Sequence, residues 1–103
     1  MSDRLNSLLK LLEKDPDDSF LSYGIALEHI STGNYEEAER YLSLIIKKDP
    51  DYVPAYMQLA HVYENLNLID KAKKIYKEGI EIARKKNDSH AADEMEDFLN
   101  ELK

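Results

Sequence analysis

The sequence predicts an all-α fold, a stack of antiparallel helix pairs with about six helices, and three observations carry that expectation. Glycine and proline number three each in 103 residues, too few to punctuate a many-stranded sheet. Apolar residues recur at i, i+3, i+4 and i+7 in one segment after another. The phrase Lys-Asp-Pro-Asp stands at residues 14–17 and again at 48–51, an interval of 48 − 14 = 34 residues, so one structural plan restarts at that distance.

Taken in order, Leu5, Leu8, Leu9 and Leu12 place one apolar stripe on a short helix over residues 3–13. Pro16 ends it, because proline disfavours helical geometry in the residue before it yet suits the first turn of a new helix. Residues 19–31 hold Phe20, Leu21, Tyr23, Ile25, Ala26, Leu27 and Ile30, more than one stripe, as a helix flanked on two sides requires. Gly33-Asn34 breaks the pattern. Residues 35–48 resume with Ala38, Tyr41, Leu42, Ile45 and Ile46 on one side. Glu36 and Glu37 open that helix and Lys47 and Lys48 close it, the charge order its dipole favours.

After the second Lys-Asp-Pro-Asp the plan repeats with a helix over 54–66, a break at Asn67 and a helix from 69 to about 86 carrying Ala72, Ile75, Tyr76, Gly79, Ile80 and Ala83. A sixth helix, capped by Asp88 or Ser89, places Ala92, Met95, Phe98 or Leu99, and Leu102 on one face. Subtracting 34 lays Ala60 on Ala26, Ala72 on Ala38, Leu59 on Ile25, Tyr76 on Leu42, Ile69 on Tyr35 and Asn67 on Gly33. The paired alanines have a physical reason: two helices cross closely only where a side chain at the crossing is small.

A helical hairpin repeating at 34 residues with this pattern resembles the tetratricopeptide repeat. Tyr56, Leu59-Ala60, Tyr63, Ala72 and Tyr76 carry the likeness in the second unit; Ile25-Ala26, Gly33, Tyr35, Ala38, Leu42 and Pro50 carry it in the first, with Ser22 and His29 departing from it. No proline closes the second unit, where Arg84 stands in the place of Pro50, so its last helix is expected to run on by half a turn or more. The resemblance implies a right-handed superhelical stack and a single domain over 1–103. Its parts are a half-repeat helix at 3–14, a first repeat at 15–50, a second at 51–86 and a capping helix at 88–103. Two complete repeats fall short of the three that such stacks usually need, and the flanking helices are expected to cover the open ends.

The resemblance further implies a non-catalytic module that takes a peptide or helix of a partner protein in a concave groove. Carried over position by position, that groove comprises Phe20, Tyr23, Gly24, Leu27 and Ile30 in the first repeat and Met57, Gln58, His61, Glu64 and Asn65 in the second. Tyr23, Leu27, Met57 and His61 form a strip that the repeat's own packing is not expected to need, and its apolar, adaptable chemistry suits an amphipathic helix. The competing expectation is that the last helix folds back over this strip with Met95 and Phe98. The Lys, Asn and Arg set with which some family members hold a carboxylate terminus is missing, since Tyr23, Leu27 and Gln58 stand there. The alternative to groove binding is self-association as a homodimer through apolar ends or groove.

Composition narrows the partners. A net charge of −7 disfavours nucleic acid and anionic lipid. No cysteine is present, which removes thiolate chemistry and sulfur-ligated zinc. No stretch approaches 18 apolar residues and the amino terminus offers no apolar signal segment, so a cytoplasmic location is expected, with no membrane partner. His29, His61 and His90 lack the spacing of a metal site, and no phosphate-cradling glycine loop or nucleophile beside a base is visible, so neither metal, cofactor nor enzymatic activity is expected. His29 is expected to pack between helices and His90 to be solvated. A basic run at Lys71, Lys73, Lys74, Lys77 and Arg84–Lys86 precedes an acidic final helix, which reads as two mutually solvating faces with some ion pairing.

Overall fold

In the computed structural model, which describes residues 3–102, the chain forms six α-helices and, among the described residues, no strand. They are α1 (Asp3–Lys14), α2 (Ser19–Ser31), α3 (Tyr35–Lys48), α4 (Val53–Asn65), α5 (Ile69–Lys85) and α6 (Ser89–Glu101). Met1, Ser2 and Lys103, which belong to the expected domain limits, lie outside the described residues. Helix α4 starts one residue before the expected Pro54 and ends at Asn65 rather than Leu66. Proline is accommodated in its first turn, where an amide hydrogen would have no intrahelical acceptor. Helix α5 begins 34 residues after α3 but runs for 17 residues against 14, as the missing proline leads one to expect.

Each helix packs on its predecessor, and α6 touches α4 as well as α5. The result measures 38 × 29 × 19 Å. Ala26, Ala38, Ala60 and Ala72 are all at 0% exposure, at the crossings the period assigned to them. One core cluster joins α2, α3, α4 and α5 around Leu42, Ile45, Leu59 and Val62; a second joins α4, α5 and α6 around Tyr56, Tyr76, Ala83 and Met95. Tyr76, Ile25, Leu42, Met95 and Val62 are the largest fully buried side chains, and burial of each contributes about 1.5–3 kcal/mol before entropy is counted.

The joints between helices are of two kinds. At Asp15 and Asp49 the amide bonds back to Leu11 and Ile45, and Asp18 and Tyr52 bond back to Asp15 and Asp49, so the two Lys-Asp-Pro-Asp joints share one hydrogen-bond pattern. The other kind closes a helix on a left-handed residue: Gly33 (φ 77°), Asn67 (φ 61°) and Asn87 (φ 59°). At each, the residue after it donates its amide to the carbonyl five positions back (Asn34 to His29, Leu68 to Tyr63, Asp88 to Ala83, all 2.8 Å), the Schellman closure. The first two lie 67 − 33 = 34 residues apart. The third comes after only 87 − 67 = 20, so α5 and α6 are joined by the turn used within a hairpin.

The two repeats solve the same packing problem with opposite distributions of volume. In the first, small Ser22 on α2 is matched by Ile45 on α3; 34 residues on, large Tyr56 on α4 is matched by Gly79 on α5. A methyl group on Gly79 would lie 2.6 Å from Tyr56 Cβ and 2.7 Å from Met95 Sδ, so the glycine there is a requirement of close approach. Tyr56 uses its hydroxyl to donate to the Pro50 carbonyl at 2.6 Å, tying α4 to the joint before it.

Candidate functional site

Local sequence fixes the two helices that carry the groove candidates. Helix α2 is started by Asp18, whose carboxylate accepts from the Leu21 amide at 3.0 Å. Helix α4 starts at Val53 with Pro54 in its first turn, and Asn65 in its last turn donates back to the His61 carbonyl at 2.9 Å. Along α2, Tyr23, Leu27 and Ile30 are half-buried and Phe20 is 72% exposed; along α4, Met57, Gln58, His61 and Glu64 are half-buried and Asn65 is exposed.

The structure corrects the expectation that the Tyr23, Leu27, Met57 and His61 strip is spare to the fold. Tyr23 packs on the first core cluster, its ring 5.6 Å from that of Tyr52 at the start of α4 and its hydroxyl near the Gln58 side chain, so it links α2 to α4. Burial raises its pKa, with the nearby Gln58 side chain opposing. Ile30 packs on the same cluster and Met57 on the second. Leu27 is half-buried and belongs to neither cluster. Phe20, four residues before Gly24, whose Cα faces Leu8 of α1, and seven before Leu27, stands exposed between the α1 side and the groove side of α2.

On α4 the structure assembles a network that sequence reading missed. The Tyr76 hydroxyl, reaching from α5, bonds to Glu64 Oε2 at 2.5 Å and to His61 Nδ1 at 2.8 Å, and His61 Nδ1 lies 3.3 Å from the same carboxylate oxygen. The phenol has one proton, and the carboxylate accepts it. The phenolic oxygen is then the acceptor for His61, which carries its hydrogen on Nδ1. Burial, followed by the carboxylate of Glu64, pushes the Tyr76 pKa far up. Phe98 of α6 closes the assembly, its ring edge-on to His61 at 4.7 Å and stacked on Tyr76 at 6.0 Å. The last helix therefore covers the His61 end of the candidate strip with Phe98. Met95 goes elsewhere, into the core against Gly79. Tyr76 alone could have been flagged, as a polar tip at a position where its counterpart Leu42 has none.

Elsewhere, His29 stacks on Tyr41 at 5.8 Å, and His90 is almost fully exposed, with Nε2 3.6 Å from Glu94. The basic and acidic helices meet through Arg84, which pairs with Glu96 and lies 3.6 Å from Asp93. No group of three metal-ligating side chains occurs among the described residues. No helix among them is long and apolar enough to cross a membrane.

Comparison with known proteins places these features in a group. A family model described as tetratricopeptide repeat matches residues 29–93. A TPR repeat-containing protein of Pseudomonas aeruginosa is 26% identical over 98 residues, covering 95% of this chain and 93% of that one. Another, from Methanocaldococcus jannaschii, is 46% identical over 52 residues; the match spans 50% of this chain and only 16% of that protein. Among solved structures, a tetratricopeptide repeat domain protein of Salinibacter ruber superposes with a TM-score of 0.81 at 33% identity, covering 85% and 89% of the two chains. A Bordetella parapertussis protein superposes with a TM-score of 0.86 over 99% of this chain and 89% of its own, a likeness of fold at 20% identity.

Proposed function

The chain belongs to the tetratricopeptide repeat family, and from that premise we propose that it is a non-catalytic adaptor that holds a peptide or helix of a partner protein across the concave side of α2 and α4. The fold in general serves protein interaction or scaffolding; the groove, the kind of ligand and a cytoplasmic site of action are our reading. The observation that carries it is Leu27, a large apolar side chain left half-buried and outside both core clusters, one turn from Tyr23 on the same helix. A ligand there would meet an apolar contact at Leu27 on α2 and polar groups on α4, at half-buried Gln58 and exposed Asn65. Phe98 stands as a wall at the far end, so the ligand would run toward α1 rather than across α6.

Tyr23 and Met57 hold core positions, so they are poor probes of binding. The discriminating experiment places a photo-crosslinking amino acid at position 27 and, as control, at Lys74 on the outer face of α5, in cells that make the protein. The expected result is a discrete protein adduct from position 27 that disappears when Asn65→Asp and Gln58→Glu are introduced, with helicity unchanged. Equal adducts from both positions, or none from position 27, defeat the groove reading.

A further inference from the structure

We propose that the valley between α1 and α2 is a self-association surface on which a second copy of this chain docks, α1 against α1 in antiparallel sense, giving a closed dimer. The valley is defined by two contacts. Arg4 of α1 pairs with Glu28 of α2 at 2.8 Å, and Leu8 meets Gly24, where an added methyl would lie 3.3 Å from Leu8 Cδ1. Four residues forward on α1 thus correspond to four back on α2, and the next step brings Leu11 and Leu12 to the level of Phe20. Leu11 is 50% exposed and Phe20 72%, the two most exposed large hydrophobic side chains among the described residues.

The internal repeat marks Leu11 as standing at a position that is buried one period later. Thirty-four residues on, Leu8 and Leu11 correspond to Leu42 and Ile45, which are buried in the first core cluster. At α1 Leu8 is taken up by Gly24 of α2, whereas Leu11, the counterpart of buried Ile45, stays 50% exposed. Arg4 stands where Ala38 would permit a close crossing, so the occupant must be a partner that meets Leu11 and Phe20 at ordinary side-chain distance.

Charge selects a second copy and its direction. Helix α1 has Asp3 in its first turn and Lys14 in its last, and no ion pair joins either to another described residue. An antiparallel contact sets Asp3 of each copy against Lys14 of the other, twice by symmetry, with the helix dipoles opposed. The opposite end of the molecule cannot take this role. The outward residues of α6 are Ser89, His90, Asp93, Asp97, Asn100 and Glu101, without an apolar side chain, so tail-to-tail pairing sets acid on acid and head-to-tail pairing sets Phe20 on carboxylates.

Sedimentation equilibrium from about 1 to about 200 µM tests the proposal. The expected result is reversible growth from 12.0 kDa to twice that mass. Leu11→Gln with Phe20→Gln, both exposed in the monomer and so harmless to its circular dichroism, should weaken the dimer by about tenfold or more. Asp3→Lys and Lys14→Asp should each weaken self-association, and mixing the two variants should restore it as a heterodimer. A monomer at every concentration overturns the proposal, as does a dimer that survives the double glutamine variant. A dimer indifferent to both charge reversals overturns the antiparallel arrangement.

Discussion

Tyr76 is the residue on which most converges, since one hydroxyl satisfies a carboxylate and an imidazole while its ring supports Phe98. Tyr76→Phe leaves Glu64 and His61 to each other alone and should cost about 1–3 kcal/mol in urea unfolding. The same tyrosines set the alkaline limit. Burial first and Glu39 second push the Tyr63 pKa up to about 12, and the shift of Tyr76 has the same sign. A raised folded-state pKa contributes stability that is whole below the unfolded value near 10 and is lost as pH rises through the folded value. From neutral pH, stability should therefore be flat up to about pH 10 and fall above it, less steeply in Tyr63→Phe, as a pH series of thermal melts would show. Gly79→Ala is the sharpest steric test. Its new methyl meets Tyr56 Cβ, which cannot move without α4, and should cost about 1–3 kcal/mol, whereas Gly33→Ala meets no neighbour and suffers only from its left-handed backbone.

At the scale of the element, almost every helix was legible because the 3.6-residue period, the prolines and Gly33 all speak locally. The bounds of α2 and α3 can be read from the sequence to the residue. Asn87 was not legible as a turn, because asparagine tolerates the left-handed region without advertising it, and the repeat offers no counterpart at that spacing. Asn87→Val should cost about 1–2 kcal/mol by thermal melt while Asn87→Gly should be neutral or slightly stabilising. The site was legible only as a set of positions. Tyr23 and Met57 were misjudged as spare since the pattern reports which side of a helix a residue occupies and says nothing of how far Tyr52 or the second core cluster reaches toward it. The Tyr76 network joins residues 12 and 15 apart across two helices, a relation no single-helix periodicity contains.

At the scale of the whole molecule, two repeats stand because α6 completes the second core with Ala91, Ala92 and Met95. A chain ending at residue 86 should lose its single sigmoidal urea transition, whereas Met95→Ala should keep it and lose about 2–5 kcal/mol. The 34-residue period exposed the stack; the fold-back of Phe98 onto His61 could not be read from it, for it depends on the joint at Asn87. That joint carries a practical consequence for anyone who would lengthen the protein. A new unit spliced after α6 would enter out of step, because the preceding connection has already used a within-hairpin bend where a between-hairpin one was due. An extension in phase has to replace the chain from Asn87 onward, discarding α6 and restoring a proline at position 84.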